Sequence, residues 1–487
     1  MIVLLGSLVY RISRNMASSF APFTLSPFDH QFADAYISFL ISFAPKEPSS
    51  CAAILESAAR SLVERFPFLA GEIVTHPHLD GKDNVARIQP IQSNTDPIQL
   101  LRFRHFDASI ASVPLLSQGS VRNGLESVYH NQALCPLPVM IPPDQRRPPV
   151  AFQANIFTDG VVLGVNFTHL VFDATGVGKI LEALAEYCNS PAVTCTPSKP
   201  DHPKRITAIF MNPPDPNSTA SLPGGIDYLQ GPLGVPREQI PLEQTFAAPS
   251  SLSTRRLTFS AANVLRLQEE CNRLLQSQGS PDKPPSVSRN DVLSCLLGLC
   301  IQKVRGKTAQ PGTKQDPLEL AIGVNMRPRL ASSIAADYMG NMAMPLILTT
   351  DINHAALDTP QPNLPLLTQL ALRMREKLQS YESRFFNRVM SLARKQSDWS
   401  RSQIRFTKTT VTSWRHLNIY SLDFGAALGP VTNFDTPFAF FGGWSVVLPR
   451  YSSEGEKEAR WDVDLTLESD LLELLVEDDW LSGVLEL

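Results

Sequence analysis

Residues 197–249 hold 11 prolines and show no sustained hydrophobic period. Proline fixes φ and removes a backbone donor, so such a run builds neither a helix nor a central strand. A stretch this long without structure does not belong inside one compact domain, and it splits the 487-residue chain into two domain-sized halves. The division that follows is an extension at 1–19, a first domain at 20–196, a crossover at 197–254 and a second domain at 255–487.

Composition removes several function classes. Apolar residues make up 43% and charged ones 18%, which is enough to fill two cores. A net charge of −4 leaves no basic footprint for general nucleic-acid binding. No run reaches the ~18–20 apolar residues that a membrane span needs. The opening MIVLLGSLVY is apolar, but Arg11 and Arg14 follow it, whereas a secretory signal carries its charge in front. It reads as a mobile extension, or as sequence ahead of a true start at Met16. The seven cysteines are scattered without a CxxC pair, so neither a disulfide framework nor a zinc site is indicated. Of two N-x-T sequons, at Asn166 and Asn217, the first lies in an apolar strand where a glycan would not fit. A cytoplasmic protein is expected.

Periodicity places the elements. Ile54, Leu55, Ala58, Ala59, Leu62 and Phe66 share one face of a helix over 52–66. Val150–Phe157 and Val161–Phe167 are β-branched runs joined by Thr158-Asp159-Gly160, a hairpin signal. A helix follows His169, with Val177, Ile180, Leu184 and Cys188 on its stripe. The second half is read as amphipathic helices over 262–276 and 288–305, strands over 318–325 and 342–348, and a helix over 366–377. Alternation from Trp461 to Glu468 predicts a half-buried strand that runs into a last helix.

The most informative segment is NFTHLVFDATG, from Asn166 to Gly176. It places His169 where a buried strand gives way to a helix, a rigid position at a sheet edge. Imidazole is the side chain best suited to take a proton from a hydroxyl at neutral pH. Asp173, four residues on, can fix the ring or cap the helix. Alone, an HxxxD pattern is weak, because a histidine beside a helix cap is common. Gly176-Val177-Gly178-Lys179 imitates a phosphate loop but lacks its first glycine and its Ser/Thr. His76 and His78 have no evident third metal ligand.

Other blocks give the pattern weight. Val411 to Gly425 reads VTSWRHLNIYSLDFG, Phe66 to Gly71 FPFLAG, Ser288 to Leu293 SRNDVL, and Val324 to Leu330 VNMRPRL, with Tyr338, Gly340 and Asn341 beyond. With HxxxD, these five ordered blocks resemble those of the BAHD acyltransferases over about 20–487. Leu25-Ser26-Pro27-Phe28-Asp29 and the proline-rich crossover resemble the fungal trichothecene 3-O-acetyltransferase-like branch.

The resemblance implies an α/β fold of two chloramphenicol-acetyltransferase-like domains, with mixed sheets and a channel at their interface. It implies an acyl-CoA-dependent O-acyltransferase, acetylating a hydroxyl of a secondary metabolite (terpenoid, polyketide or alkaloid). Acyl-CoA would be a co-substrate, with no tightly bound cofactor, no metal, no nucleic-acid or membrane partner, and a monomeric enzyme. His169 would be the base and Thr412 the oxyanion donor. Asp173 would pair with Arg327, with Arg329 as second candidate. Gly176, Asp423 and Gly425 would support the site, and Trp414 would line the channel. Ser288 and Lys283 would contact CoA, beside a basic run of Lys303, Arg305, Lys307 and Lys314. The chain departs from the family at Ala426-Ala427, where a Trp-Gly pair stands, which bears on coenzyme affinity. Thr168 before His169 excludes the double histidine of condensation domains, so free acyl-CoA is expected over a carrier-bound donor. N-acylation of an amine and a non-catalytic metabolite-binding paralogue remain alternatives.

Overall fold

The computed structural model describes residues 20–485, except 33, 92–99, 113–120, 124–131, 143, 191–250, 279–284, 310–315, 331–337, 403–406, 438–440 and 452–457. The 1–19 extension, nearly all of the 197–254 crossover, Cys195, Asn217, Lys283 and Lys314 therefore lie outside the described residues.

Val150–Ile156 and Val161–Thr168 pair antiparallel across the Asp159-Gly160 turn, with Ile156 opposite Val161. Both are buried along their whole length, which is why they read as unbroken apolar runs. They sit inside a five-stranded sheet ordered Val431–Asp435, Tyr36–Phe43, Val161–Thr168, Val150–Ile156, Leu101–His105. The last pair is parallel and the others antiparallel, so the sheet is mixed. Helices Cys51–Arg65 and Ala174–Asn189 bury Leu55, Ala59 and Leu62, and Val177, Ile180 and Leu184, in the same core. Asn166 is wholly buried and its amide donates to Ser38 Oγ at 2.8 Å, leaving no room for a glycan.

The second half builds a seven-stranded mixed sheet. Its order is Ala343–Thr350, Leu318–Asn325, Thr409–Ser413, Trp444–Val447, Trp461–Glu468, Leu252–Phe259, Val121–Asn123. Helix Arg289–Thr308 is not amphipathic as the sequence suggests. It is buried from Asp291 to Val304, wedged between the sheet and helices Ala261–Gln278 and Leu364–Gln379. Strand Trp461–Glu468 also departs from expectation, being buried from Trp461 through Leu467. Its aspartates face an internal polar seam: Thr258 Oγ1 donates to Asp462 at 2.6 Å, and Thr436 Oγ1 to Asp464 at 2.9 Å.

The two halves exchange strands. Val431–Asp435 comes from the second half yet pairs with Tyr36–Phe43, and Val121–Asn123 comes from the first yet pairs with Leu252–Phe259. Separating the halves would break both ladders and strand buried backbone groups.

Candidate active site

Strand Val161–Thr168 delivers His169 into a turn, and that turn is stitched to the second half. The His169 amide donates to Ala35 O at 3.0 Å, and its carbonyl accepts from Asn341 Nδ2 at 2.9 Å. Phe172 forms an antiparallel bridge with Gly340. The imidazole stacks on Phe32, with centroids 4.3 Å apart and planes at 13°. His169 is half-buried, keeping some surface open to solvent within a densely packed surround. Burial lowers its pKa against the opposing pull of Asp173, so the ring is neutral at neutral pH. Its Nδ1 is buried and finds no partner in hydrogen-bonding geometry.

Asp173 caps helix Ala174–Asn189, accepting from Gly176 N at 2.8 Å. Three more donors from the second half complete its shell. Arg327 Nη1 and Nη2 approach at 2.9 and 3.0 Å, and Met342 N at 2.8 Å. Both side chains are almost fully buried. Arg327 also donates to Gly340 O at 2.6 Å and Tyr338 O at 3.2 Å. With both oxygens spent in this way, Asp173 has no free lone pair aimed at the imidazole. Gly176 is required by close approach: a Cβ there would lie 1.7 Å from Met339 O. Arg329 points elsewhere, donating to Leu378 O at 3.0 Å.

Thr412 is half-buried on Thr409–Ser413, and its Oγ1 would lie 3.3 Å from a Cβ built on Gly323 of the neighbouring strand. Trp414, expected to line the channel, is 4% exposed and packs edge-on to Phe39 at 4.9 Å in the first core. Asp423 lies at the far end of helix Ala174–Asn189. There it accepts from Asn189 Nδ2 at 2.7 Å and Gly425 N at 2.9 Å. Gly425 has φ +82, which explains the glycine. Ala426 and Ala427 are exposed on the short helix that follows.

The coenzyme contacts expected from sequence fare differently. Ser288 forms a capping box: its hydroxyl donates to Asp291 Oδ2 at 2.8 Å and accepts from Asp291 N at 3.3 Å. Its donor is therefore not available to a phosphate. Lys303 is buried against Asp478 at 2.8 Å and over Trp480, and Arg305 donates to Lys408 O at 2.7 Å. Those cations serve the fold.

Three features near the histidine were missed from sequence. Asp29 is buried and accepts from Ser26 N and Oγ at 2.8 and 2.7 Å, and from Asn341 Nδ2 at 3.2 Å. Burial pushes its carboxyl up to about 7. Asn341 joins Asp29 to the His169 carbonyl. His416 Nε2 meets Thr175 Oγ1 at 2.8 Å, another tie between the halves. All three stood inside or beside quoted motifs: Asp29 in Leu25–Asp29, Asn341 after Tyr338 and Gly340, and His416 in Val411–Gly425.

Fold and relatives together define an acyltransferase. Residues 120–479 match the Transferase family, and residues 35–188 match the trichothecene 3-O-acetyltransferase-like N-terminal domain. The chain belongs to this transferase family. It is 36% identical to the fumigaclavine B O-acetyltransferase of Penicillium roqueforti, over 94% of this chain and 97% of that one. It is 31% identical to the communesin N16 acyltransferase of Penicillium expansum, over 96% and 98%. Its fold matches F. sporotrichioides TRI101, crystallised with coenzyme A and T-2, at a TM-score of 0.69 and 17% identity over 96% and 99%. Among the described residues, no helix is long and apolar enough to cross a membrane.

Proposed function

We propose that the protein transfers an acetyl group from acetyl-CoA to a hydroxyl of a fungal secondary metabolite, with His169 as general base. One observation carries this reading: a neutral, half-buried imidazole on a turn clamped between two α/β halves. His169 takes the acceptor's proton as its oxygen attacks the thioester carbonyl. The tetrahedral intermediate collapses, the C–S bond breaks, and the protonated ring returns its proton to the departing thiolate. A positioned base supplies ~10²–10⁴-fold. Thr412 donates to the oxyanion, worth ~10²–10³. Asp173 braces the turn through Arg327 without relaying a proton, because its oxygens are already saturated. Gly176, Asp423 and Gly425 support that brace at the two ends of one helix.

The P. roqueforti relative, a fumigaclavine B O-acetyltransferase by name, supports a hydroxyl acceptor. N-acylation is a second reading, favoured by the communesin relative. Residues 20–196 and 255–487 serve as the two acyltransferase domains. The enzyme works as a monomer in the cytoplasm, and the six buried free thiols among the described residues suit a reducing compartment.

The test mixes the enzyme with acetyl-CoA and either fumigaclavine B or a secondary amine, following free thiol and product mass. Acetylated alcohol is expected, and His169→Ala lowers kcat at least ~10²-fold at unchanged CoA affinity. Full activity in a folded His169→Ala enzyme contradicts the mechanism, and acetylated amine alone selects the second reading.

A further inference from the structure

Nothing described so far fixes the tautomer of His169. Asp173 faces Arg327, Met342 and its own helix, and the ring's Nδ1 is left buried without a partner. A base acting through Nε2 needs its proton held on Nδ1.

Asn341 is the side chain placed to do this. Its Nδ2 donates to His169 O at 2.9 Å and to Asp29 Oδ1 at 3.2 Å. Its Oδ1 is buried without a partner, the second such orphan beside this turn. A buried polar atom without a partner is costly and calls for a reason. We propose that Asn341 is a positioning residue for His169: its amide oxygen takes the Nδ1 proton while its amide nitrogen holds the same residue's carbonyl. Asp29 keeps the amide in that orientation. Burial lowers the ring's pKa, and the backbone carbonyls of His169 and Phe172 together with the Asn341 amide favour its protonated form, as oxygens facing a ring N–H do.

Asp29 is built for this task. Both of its oxygens are filled, one by Ser26 and the other by Asn341. The short helix that carries it leads to Phe32, stacked on the imidazole. His30 pins that helix from the other side, with its Nδ1 2.8 Å from Ser26 O and its Nε2 accepting from Ala86 N at 2.8 Å. Segment 26–32 thus grips both the face of the ring and, through Asn341, its carbonyl.

The inference rests on His169 being the base, so His169→Ala is run alongside. The probe is thiol release from acetyl-CoA with water as acceptor, together with spectra of ¹⁵N-histidine-labelled enzyme, where His169→Gln assigns the signal. Asn341→Ala is expected to lower kcat about 10- to 100-fold with KM for acetyl-CoA unchanged, the usual cost of misplacing a catalytic group. The His169 signal is expected to move from pure Nδ1–H to a tautomer mixture. Asp29→Asn, the second variant in case the first fails to fold, shifts both readouts the same way by less. Wild-type kcat in either folded variant, or a lower kcat with His169 still purely Nδ1–H, overturns the proposal. Undiminished thiol release in His169→Ala overturns the base assignment itself.

Discussion

Two buried arginines hold buried carboxylates, Arg327 across the two halves and Arg256 between strands of the two sheets, and they do so with different charge balance. At the histidine turn one guanidinium, Arg327, meets one carboxylate, Asp173, which also accepts two backbone amides. In the seam between the sheets, Arg256 meets two. Its Nε lies 2.7 Å from Asp464 Oδ1 and its Nη2 lies 2.8 Å from Asp435 Oδ1, with Asp462 nearby. Burial, and then the neighbouring Asp464, push Asp435 up to about 6 against the pull of Arg256. Arg122 also draws Asp435 toward its charged form, and Arg460 lies 3.1 Å from Asp462, so the seam gathers several buried charges of both signs. The comparison separates a pair that positions a reactive group from a cluster that stitches sheets and titrates.

The largest effect should come from removing Arg256 from the seam. Arg256→Met leaves buried carboxylates unpaired and should cost ~3–5 kcal/mol at neutral pH, measured by urea unfolding. The loss should shrink in acid as those carboxyls take up protons. A loss independent of pH would mean that packing, not charge, binds the seam.

Asp435 comes next. A carboxyl harder to ionise folded than unfolded binds more protons in the folded state. Its contribution to stability is therefore complete below 3.8, its ordinary value, and falls as pH rises to about 6. That interval corresponds to ~3 kcal/mol. Asp435→Asn should flatten the stability profile between those limits, and an unchanged slope would assign it to other groups. The smallest effect is Thr175→Ala, which removes the exposed bond to His416. It should cost under ~1 kcal/mol and leave kcat near wild type.

The same contrast marks what could be read from sequence. The Asp173–Arg327 contact was expected from the family resemblance, because each residue matches a position in one of the family's motifs. The Arg256 seam was not, since Asp462 and Asp464 alternate with apolar neighbours just as solvent-facing residues would. Alternation reports two faces, and only tertiary packing decides whether the polar one meets water. For Trp414, motif position gave its place in the chain, and packing against Phe39 and Phe434 sets its burial. The hairpin over Glu72–Leu79 and Lys82–Gln89 was overlooked although Asp80-Gly81, with φ 51 and 74, is its turn signal. Strand exchange left no local mark, because partner choice over hundreds of residues is not encoded in a window.

The measurement that reaches the centre of the account is a double-mutant cycle on Asp173→Asn and Arg327→Met, read for stability and kcat together. A brace predicts that Asp173→Asn loses both, that Arg327→Met restores part of each, and that the coupling falls within ~0.5–3 kcal/mol. Additive stability losses, or a rate lost at unchanged stability with no rescue, would contradict the brace and return Asp173 to a direct role on His169.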